Sequence, residues 1–417
     1  MQNKKIPKIR FRNFRDKWNF KHLSNLVDKV KEKNKENFYS ETLTNSAEFG
    51  IVNQREFFDK DISNEKNLDG YYVVRPDDFV YNPRISNLAP VGPIKRNKLN
   101  RIGVMSPLYF VFRVKENQHV DLDYLDTFFQ SNHWHKFMKQ NGDSGARADR
   151  FAIKDSVFVT MPIPFPSLPE QSAIGSLFQT LDELLSAYKD NLANYQAFKV
   201  SMLSKMFPKA GQTTPEIRLD GFEDEWEEMK LKELANYVRG SFPQPYTNKE
   251  FYDEVHGMPF VQVSDIGYNL KINDDTKLHI SKIAEPKSRF VKSGTVIVAL
   301  QGSIETSIGR TAITHYDAYV DRTILIFESY KLPINRMYFA QVIKSLFQKE
   351  KERAWGATIS TITKQHLNDF IISIPSLPEQ QAIGSFFSNL DDLISSYQEK
   401  VAQLETLKKK LLQDMFV

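Results

Sequence analysis

Two long segments of the chain carry apolar residues at the alternating three- and four-residue spacing of a coiled-coil helix. One pattern begins at Ile174 and the other at Ile383, and each continues for about four heptads. Both segments therefore predict a long helix that buries one face against another helix. The predicted seam positions are Ile174, Leu177, Leu181, Leu184, Tyr188, Asn191, Tyr195, Phe198 and Met202, then Ile383, Phe386, Leu390, Leu393, Tyr397, Lys400, Leu404, Leu407 and Leu411.

Each predicted helix opens with the same six residues, Pro-Ser-Leu-Pro-Glu-Gln, at positions 166–171 and 375–380. The second proline suits the first helical turn, and the glutamate suits the positive end of the helix dipole. Asn191 and Lys400 fall on equivalent seam positions of the two helices. A polar seam residue commonly fixes the register of a coiled coil at a cost in stability; the alternative is a contact site for a partner subunit.

The two helical segments are copies of each other within a larger duplication. Residues 166–207 match residues 375–416 without a gap, with 21 identities in 42 positions. The duplication predicts a globular domain at 1–165, a helical region at 166–209, a second globular domain at 210–374 and a second helical region at 375–417. A weaker copy lies upstream, where Pro7, Ile9, Arg10, Phe14, Asp16, Trp18, Leu23 and Leu26 recur as Pro215, Ile217, Arg218, Phe222, Asp224, Trp226, Leu231 and Leu234.

The short link between the first helix and the second domain predicts an overall arrangement. The two globular domains should lie at opposite ends of the first helix. The second helix should return antiparallel along it, as a rod of about 55 Å. Within the globular domains, residues 70–74, 79–81, 260–263, 295–300 and 323–327 predict strands, and residues 122–140 and 335–354 predict helices. The fold class is therefore α+β, with pseudo-twofold symmetry.

Composition narrows the compartment and the partner. The chain has no cysteine, which excludes disulfides and thiolate chemistry and suits a reducing cytoplasm. Its apolar runs are too short to cross a bilayer, so we expect no membrane association. The net charge is +4, but residues 1–165 alone hold 28 Lys and Arg against 20 Asp and Glu, a net of +8. A basic first domain favours a polyanionic partner.

Sequence motifs of catalysis are missing or weak. There is no nucleotide-binding Gly-x-x-x-x-Gly-Lys-Ser/Thr loop and no Asn/Asp-Pro-Pro-aromatic motif of amino methylation. The triplets 275–277 and 285–287 have the Asp/Glu-x-Lys form of a nuclease site, which arises by chance in a charged chain. The two histidines of His133-Trp134-His135 would point apart on a helix, so a packed tryptophan with flanking histidines is favoured over a metal site. We expect no catalytic residue, cofactor or metal in this chain.

Motifs in both globular domains resemble those of the specificity (S) subunits of type I restriction–modification systems. In the first domain these are residues 79–84 (Phe-Val-Tyr-Asn-Pro-Arg) and 103–109 (Gly-Val-Met-Ser-Pro-Leu-Tyr). In the second domain they are residues 260–266, 302–303 and 308–313. The Ser-Leu-Pro-Glu-Gln helix entry is also similar to that of the family, and together these features cover essentially the whole chain.

The resemblance implies a non-catalytic reader of double-stranded DNA. Such a subunit has two target-recognition domains that read the two words of a bipartite site, and two helical regions packed as an antiparallel coiled coil. It would bind two modification subunits, which carry S-adenosylmethionine and methylate adenine N6. Restriction subunits would add cleavage that uses ATP and Mg²⁺.

Candidate DNA contacts lie in polar and basic segments that follow predicted strands. Arginine and lysine can neutralise phosphates, and asparagine, glutamine and arginine have donors that match base edges. The alternative for each segment is a solvated loop or turn. The candidates are Asn82, Arg84, Lys95, Arg96, Lys98, Arg101, Arg147 and Arg150 in the first domain, and Arg239, Gln244, Gln262, Ser264, Gln301, Ser303, Thr306, Arg310 and Arg322 in the second.

Three other functions compatible with the sequence remain as alternatives. The chain could serve a type IIB-like system with the same fold and a different nuclease partner. It could instead be a coiled-coil scaffold whose globular domains bind protein, or a nuclease without a recognisable motif. Failure to bind DNA with its partners present would favour the scaffold, and cutting by the isolated chain with Mg²⁺ would favour the nuclease.

Overall fold

The protein divides into two compact units, each built around one globular domain and parts of both long helices. The computed structural model describes residues 6–58, 68–144, 149–209, 211–267, 269–303, 306–354 and 367–417, without the side chains of 352–354. Unit 1 comprises Met1–Tyr188 and Lys400–Val417, and unit 2 comprises Lys189–Glu399. Each unit therefore takes the beginning of the long helix that follows its own domain and the end of the other helix.

Unit 1 is a set of small antiparallel sheets with helices packed beside them. Its widest described sheet has the order β2-β9-β6-β7, and β1 pairs with β10, β3 with β4, and β5 with β8. The strands are β1 (Asn19–His22), β2 (Val27–Lys29), β3 (Leu43–Ser46), β4 (Gly50–Asn53), β5 (Tyr72–Val74), β6 (Phe79–Tyr81), β7 (Ile94–Arg96), β8 (Gly103–Met105), β9 (Phe110–Val114) and β10 (Pro162–Phe165). The helices are α1 (Leu23–Leu26), α2 (Gln54–Phe58), α3 (Leu122–Gln130), α4 (His135–Asn141), α5 (Asp155–Phe158) and α6 (Leu168–Lys205), of which α6 continues into unit 2.

The core of unit 1 is closed by the last residues of the chain. Phe416 is buried, and its ring centroid lies 6.4 Å from Trp18, 5.7 Å from Tyr124 and 5.7 Å from Phe128. The His133 ring nitrogen also lies 3.0 Å from the Gln413 carbonyl oxygen. The chain end is thus part of the core that the N-terminal domain builds.

We expect Phe416→Ala to destabilise unit 1 strongly. Truncating a phenylalanine that is 3% exposed leaves a cavity between the rings it contacts, which typically costs about 3–5 kcal/mol. Denaturant unfolding followed by Trp18 fluorescence in a chain with Trp134, Trp226 and Trp355 replaced by phenylalanine measures the effect. Phe38→Ala is the matched control, because the Phe38 side chain is 81% exposed. Equal midpoints for the two variants would contradict this role of the chain end.

Unit 2 contains two larger sheets and the same helical frame. The sheets have the orders β12-β20-β17-β18-β14 and β15-β13-β19-β16, and β11 pairs with β21. The strands are β11 (Glu227–Lys230), β12 (Ala235–Arg239), β13 (Met258–Val261), β14 (Leu270–Lys271), β15 (Leu278–Ile280), β16 (Arg289–Val291), β17 (Val296–Ala299), β18 (Thr311–Ile313), β19 (Ala318–Val320), β20 (Ile324–Tyr330) and β21 (Ile371–Ile374). The helices are α7 (Leu231–Leu234), α8 (Arg336–Ala354) and α9 (Leu377–Asp414), of which α9 continues into unit 1.

The end of α6 closes unit 2 as the end of the chain closes unit 1. Phe207 stacks on Tyr338 and Phe387, with centroid distances of 5.7 and 6.0 Å, and meets the edge of Trp226 at 6.3 Å. Phe207 and Phe416 are equivalent positions of the duplication. The repeated Met-Phe pair therefore docks into a domain core in each unit.

The predicted helix seam has the wrong phase in the middle of both helices. Asn191 and Lys400 are exposed, whereas their neighbours Leu192 and Val401 are partly buried. The prediction that Asn191 and Lys400 fix the register from inside the seam is therefore wrong. Heptad spacing alone cannot distinguish the phase 3-4 from the phase 4-3 when apolar residues stand side by side. The predicted positions that are exposed are Leu184, Asn191, Phe198, Leu393, Lys400 and Leu407, and the residues that follow each of them, Leu185, Leu192, Lys199, Ile394, Val401 and Lys408, are buried or partly buried.

Ion pairs at equivalent positions link the two long helices within each unit. The Lys408 ammonium donates to the Asp182 carboxylate in unit 1, and the Lys199 ammonium donates to Asp391 in unit 2. Asp391 corresponds to Asp182 and Lys408 to Lys199 in the duplication. In unit 2 the rings of Tyr195 and Tyr397 also lie 5.2 Å apart, and this contact together with Lys199–Asp391 shows that α6 and α9 run in opposite directions within that unit.

Most predicted elements of the globular domains are present with shifted ends. Strand 79–81 and helix 335–354 are confirmed within one residue. The predicted helix 122–140 is two helices, because the Ser131 hydroxyl donates to the Phe128 carbonyl at the end of α3. The predicted strand 260–263 stops at Val261, where the Asp265 carboxylate accepts the Gln262 N–H and holds a 3₁₀ turn.

Candidate functional site

The repeated helix-entry motif anchors each long helix to its own domain through a buried glutamate. In unit 1 the Arg10 guanidinium donates to both Glu170 oxygens at 2.6 and 2.7 Å, and the Trp18 indole N–H donates at 3.1 Å. In unit 2 Arg218 donates to both oxygens of Glu379 at 2.8 Å. Hydrogen bonding to the carboxylate raises the pKa of both arginines.

The glutamine of the motif caps a second helix. The Gln171 side-chain oxygen accepts the Asp121 N–H just before α3, and its amide donates to the Pro166 carbonyl. Gln380 makes the same two bonds, to Asn335 and Pro375. The glutamate and glutamine of the Pro-Glu-Gln motif therefore join each long helix to its domain, a role that the sequence pattern did not predict.

We expect Glu170→Ala to destabilise unit 1 by about 3–5 kcal/mol, because it leaves the nearly buried Arg10 guanidinium without its partner. Asp28→Ala is the control, since its carboxylate is 77% exposed and lies 3.8 Å from Lys115. Loss of that exposed pair should cost less than about 1 kcal/mol. Denaturant unfolding compares the two, and equal losses would show that the Glu170 pair is not a structural anchor.

In unit 1, two of the predicted basic segments meet at one end of the sheet. Residues after β6 and residues 149–151 form an antiparallel bridge between Arg84 and Arg150. It is held by hydrogen bonds from the Ile85 N–H to the Asp149 carbonyl (3.0 Å) and from the Phe151 N–H to the Pro83 carbonyl (2.7 Å). Both arginines are exposed, and β9 starts at the same end after Tyr109. We call Arg84, Arg150 and Tyr109 the first strand-end surface.

The loop that carries Arg84 is shaped by Asn82 and Gly92. The Asn82 side chain donates to the Asn45 carbonyl at 2.9 Å and accepts the Arg84 N–H at 3.0 Å. Gly92 has a φ of +82°, and a Cβ there would lie 2.1 Å from the Asn82 carbonyl oxygen, so only glycine fits. Asn82 therefore positions Arg84, and its amide is engaged within the protein.

The other basic candidates of the first domain lie away from this surface. Arg96 stands opposite Phe79, at the far end of β6, and binds Asp77 and Asp123 at 2.6 and 2.8 Å. Lys98 pairs with Asp126 and Arg101 with Glu41. These candidates therefore do not form one exposed cationic segment with Arg84, because residues 94–96 are strand β7 and carboxylates of the domain pair with the cations.

Lys95 and Arg147 complete the candidates of the first domain. Lys95 is partly buried on β7, and burial lowers its pKa, while Asp126 opposes the fall. Such a side chain is not part of an exposed loop. Arg147 lies outside the described residues.

In unit 2 the candidates gather where strands of the five-stranded sheet meet the loops. Arg239 ends β12 opposite Leu325, Gln301 follows β17, and Arg310 and Arg322 precede β18 and β20. Because these strands alternate in direction, all four residues lie at the same end of the sheet. We call Arg239, Gln301, Arg310 and Arg322 the second strand-end surface.

The loop that carries Arg322 is held by a buried carboxylate. Asp321 accepts the Tyr246 hydroxyl at 2.5 Å, the Thr323 N–H at 2.8 Å and the Thr323 hydroxyl. The Arg322 guanidinium carbon lies 5.4 Å from the centre of the Tyr246 ring, whose hydroxyl has a raised pKa mainly because of burial. A cation over an aromatic face is held by the ring quadrupole. Arg322 is exposed, and the ring of Tyr246 orients its side chain. Tyr246 was not among the candidates predicted from the sequence.

The remaining candidates of unit 2 have mixed positions. The Arg310 guanidinium donates to the carbonyls of Thr306 and Ile266, so its direction is fixed by the backbone. Ser264, Ser303 and Thr306 are exposed, and Gln301 and Gln262 are partly buried. Gln244 is exposed in the segment that leads to Tyr246, next to a cis peptide bond with Pro245.

Among the residues that the structure describes, no three histidine, cysteine, aspartate or glutamate side chains lie together in a way that could hold a metal ion. The Trp134 indole is buried and donates to the Phe129 carbonyl, which confirms the packed tryptophan predicted for His133-Trp134-His135. Within the described residues, no helix combines the length and hydropathy needed to cross a membrane.

Comparison with known proteins relates the chain to one family. Residues 223–406 match the model of the type I restriction modification DNA specificity domain. The chain is 23% identical over 271 residues to the type I restriction enzyme MjaVIII specificity subunit of Methanocaldococcus jannaschii, and the match covers 62% of each protein. The chain is therefore similar to type I restriction–modification specificity subunits. A second M. jannaschii specificity subunit, MjaX, is 23% identical over 63% of this chain, and the match spans 60% of that relative's length.

Solved structures share the fold of this chain. The crystal structure of a type I restriction–modification S subunit from M. genitalium superposes with a TM-score of 0.62 at 15% identity, over 99% of both chains. A chain from a structural study of complex assembly and conformational transition of the type I system superposes with a TM-score of 0.53 at 16% identity, over 96% of this chain and 97% of that one. The mixed helix and sheet fold predicted from the sequence is confirmed.

Proposed function

We propose that this chain is the sequence-specific DNA-binding subunit of a type I restriction–modification complex and directs it to a bipartite target. The observation that carries the proposal is the presence of one exposed strand-end surface in each unit, centred on Arg84 and Arg150 in unit 1 and on Arg322 in unit 2. Arginine is the side chain best suited to bidentate contact with guanine. Two different surfaces would read two different words.

We further propose that α6 and α9 form an antiparallel coiled coil with the two recognition domains at opposite ends. Support comes from the length of the helices, 38 residues each, and from the equivalent ion pairs Asp182–Lys408 and Lys199–Asp391. At 1.5 Å per residue each helix would be about 57 Å long. This rod would set the unread spacer between the two words.

Catalysis would reside on other subunits. Two modification subunits would bind the chain and transfer a methyl group from S-adenosylmethionine to adenine, and restriction subunits would use ATP and Mg²⁺ for cleavage. The two units are similar around the helix-entry motif, where Arg10–Glu170 recurs as Arg218–Glu379, which would give two modification subunits equivalent docking frames. The chain itself would contribute no catalytic group.

Methyl transfer to a plasmid substrate tests the proposal. The chain alone, the modification subunit alone and the two together are each incubated with labelled S-adenosylmethionine. Label should enter adenine only when both are present. Transfer by the chain alone, or transfer by the modification subunit that is unchanged when the chain is added, would reject it.

A further inference from the structure

A pocket in unit 2 concentrates positive charge beside the second strand-end surface. It has a volume of about 630 Å³ and lies between the end of α6, the turn before β18 and helix α8. Five basic side chains line it, and none of the lining residues that the structure describes is an aspartate or glutamate. We call this the basic pocket; the five are Lys209, Arg310, Lys344, Lys349 and Lys351.

Two carboxylates outside the lining act on these cations. Glu216 lies 3.3 Å from the Lys209 ammonium, and Asp391 lies close enough to Lys344 to favour its charged form. Asp391 is itself the ion-pair partner of Lys199. Basic side chains that converge on a partly enclosed space favour an anion there.

Burial, with a smaller effect of neighbouring cations, lowers the pKa of two lysines of the pocket. Burial lowers the pKa of Lys344 to about 8, with Lys199 and Lys351 adding to the fall and Asp391 opposing it. Burial and the neighbouring Arg310 also lower the pKa of Lys351. A bound anion would favour the charged form of both lysines, so binding would take up protons at alkaline pH.

The pocket lining also includes apolar residues. These are Val200, Leu203, Phe207 and Pro208, and Val200 is 68% exposed despite its apolar side chain. A bare inorganic anion would leave these residues in contact with water. A phosphate that carries a sugar and a base would contact both the basic and the apolar residues, and the volume lies in the range of small-molecule sites.

We propose that the basic pocket binds a phosphate group, carried either by the DNA backbone beside the second strand-end surface or by a free nucleotide. Arg310 belongs to both the pocket and that surface, so a DNA strand that reaches Arg310 could continue into the pocket. Lysine binds phosphate as a point charge, and arginine does so through its planar fork. The proposal holds whether or not Arg322 reads a base.

The test compares Lys349→Met/Lys351→Met with Lys282→Met in the full chain. Lys349 is exposed and Lys351 partly buried, both on α8, so their replacement should leave folding intact, which circular dichroism checks. Lys282 is an exposed lysine outside the pocket. One arm titrates AMP and ATP by calorimetry, and the other titrates a DNA duplex of random sequence at several salt concentrations.

If the pocket binds a free nucleotide, the double variant should bind AMP or ATP about tenfold or more weakly than Lys282→Met does; if it binds the DNA backbone, the same loss should appear with the duplex. If the source is DNA, the salt slope should also become shallower by about two units. Affinity should fall up to tenfold between pH 8 and pH 9.5, and Lys344→Arg, which stays charged, should flatten that fall. The methylated motif should not change in the double variant. If the double variant matches Lys282→Met in both arms, the pocket does not bind phosphate.

Discussion

Arg322→Ala is expected to remove discrimination at one position of one DNA word and to leave the other word unchanged. The Arg322 guanidinium is exposed, oriented over Tyr246 and carried by a loop that Asp321 fixes with three hydrogen bonds. A well-oriented bidentate contact to guanine contributes about 1–3 kcal/mol of discrimination, or roughly fivefold to 150-fold between bases. Methylation of a library with randomised words by the assembled methyltransferase measures the change.

Four further variants separate base reading from simple charge. Arg322→Lys keeps the charge but loses the fork, so discrimination should fall almost as far while total DNA affinity is kept. Tyr246→Ala should weaken discrimination, whereas Tyr246→Phe keeps the ring and should weaken it less. Lys282→Ala removes a cation near the opposite end of the four-stranded sheet and should change nothing. Uniform loss of binding to all sequences in Arg322→Ala would make the residue a phosphate contact instead.

Four residues inserted into each long helix, after Asp190 and after Glu399, should lengthen the spacer and keep both words. In the proposed coiled coil this insertion adds about 6 Å and turns the following part by about 40°. One base pair adds 3.4 Å and, at about 10.5 per turn, roughly 34°. We therefore expect one or two additional spacer bases in the methylated motif.

The position of the insertion follows from the structure. Residues near 205–209 are unsuitable, because Phe207 is stacked in the core of unit 2. Both helices must be lengthened together, since Asp182–Lys408 and Lys199–Asp391 otherwise lose their partners. Insertion into α6 alone is the control and should lower stability. A motif with an altered word and the original spacer would show that the helices do not act as the ruler.

The sequence predicts the frame of this protein better than its sites. The ungapped repeat of 42 residues locates both long helices, and their connectivity predicts the opposite directions that α6 and α9 have in unit 2. The phase of the seam could not be read, because Leu177 and Phe178, or Leu184 and Leu185, are both apolar. Only packing selects the second of each pair for burial.

Sequence charge alone did not predict which basic residues belong to the first strand-end surface. Arg96, Lys98 and Arg101 stand in a basic stretch, but their partners Asp77, Asp126 and Glu41 come from other elements. Sequence proximity does not reveal such pairs. Strand order was the missing information in unit 2 also, where it brings Arg239, Gln301, Arg310 and Arg322 together from separate segments. The partners of Glu170 and Glu379 could have been found from the sequence, because Arg10 and Arg218 are repeated in the two halves of the chain as the two glutamates are.

A map of N6-methyladenine in the genome of a host that has no other adenine methylation tests most directly whether each unit reads one DNA word. The host expresses the modification subunit with the wild-type chain, with Arg84→Ala/Arg150→Ala or with Arg322→Ala. We expect a bipartite motif in which Arg84→Ala/Arg150→Ala relaxes one word only and Arg322→Ala relaxes the other word only. A motif that both variants alter in the same word, or that neither alters, would contradict the assignment of one DNA word to each unit.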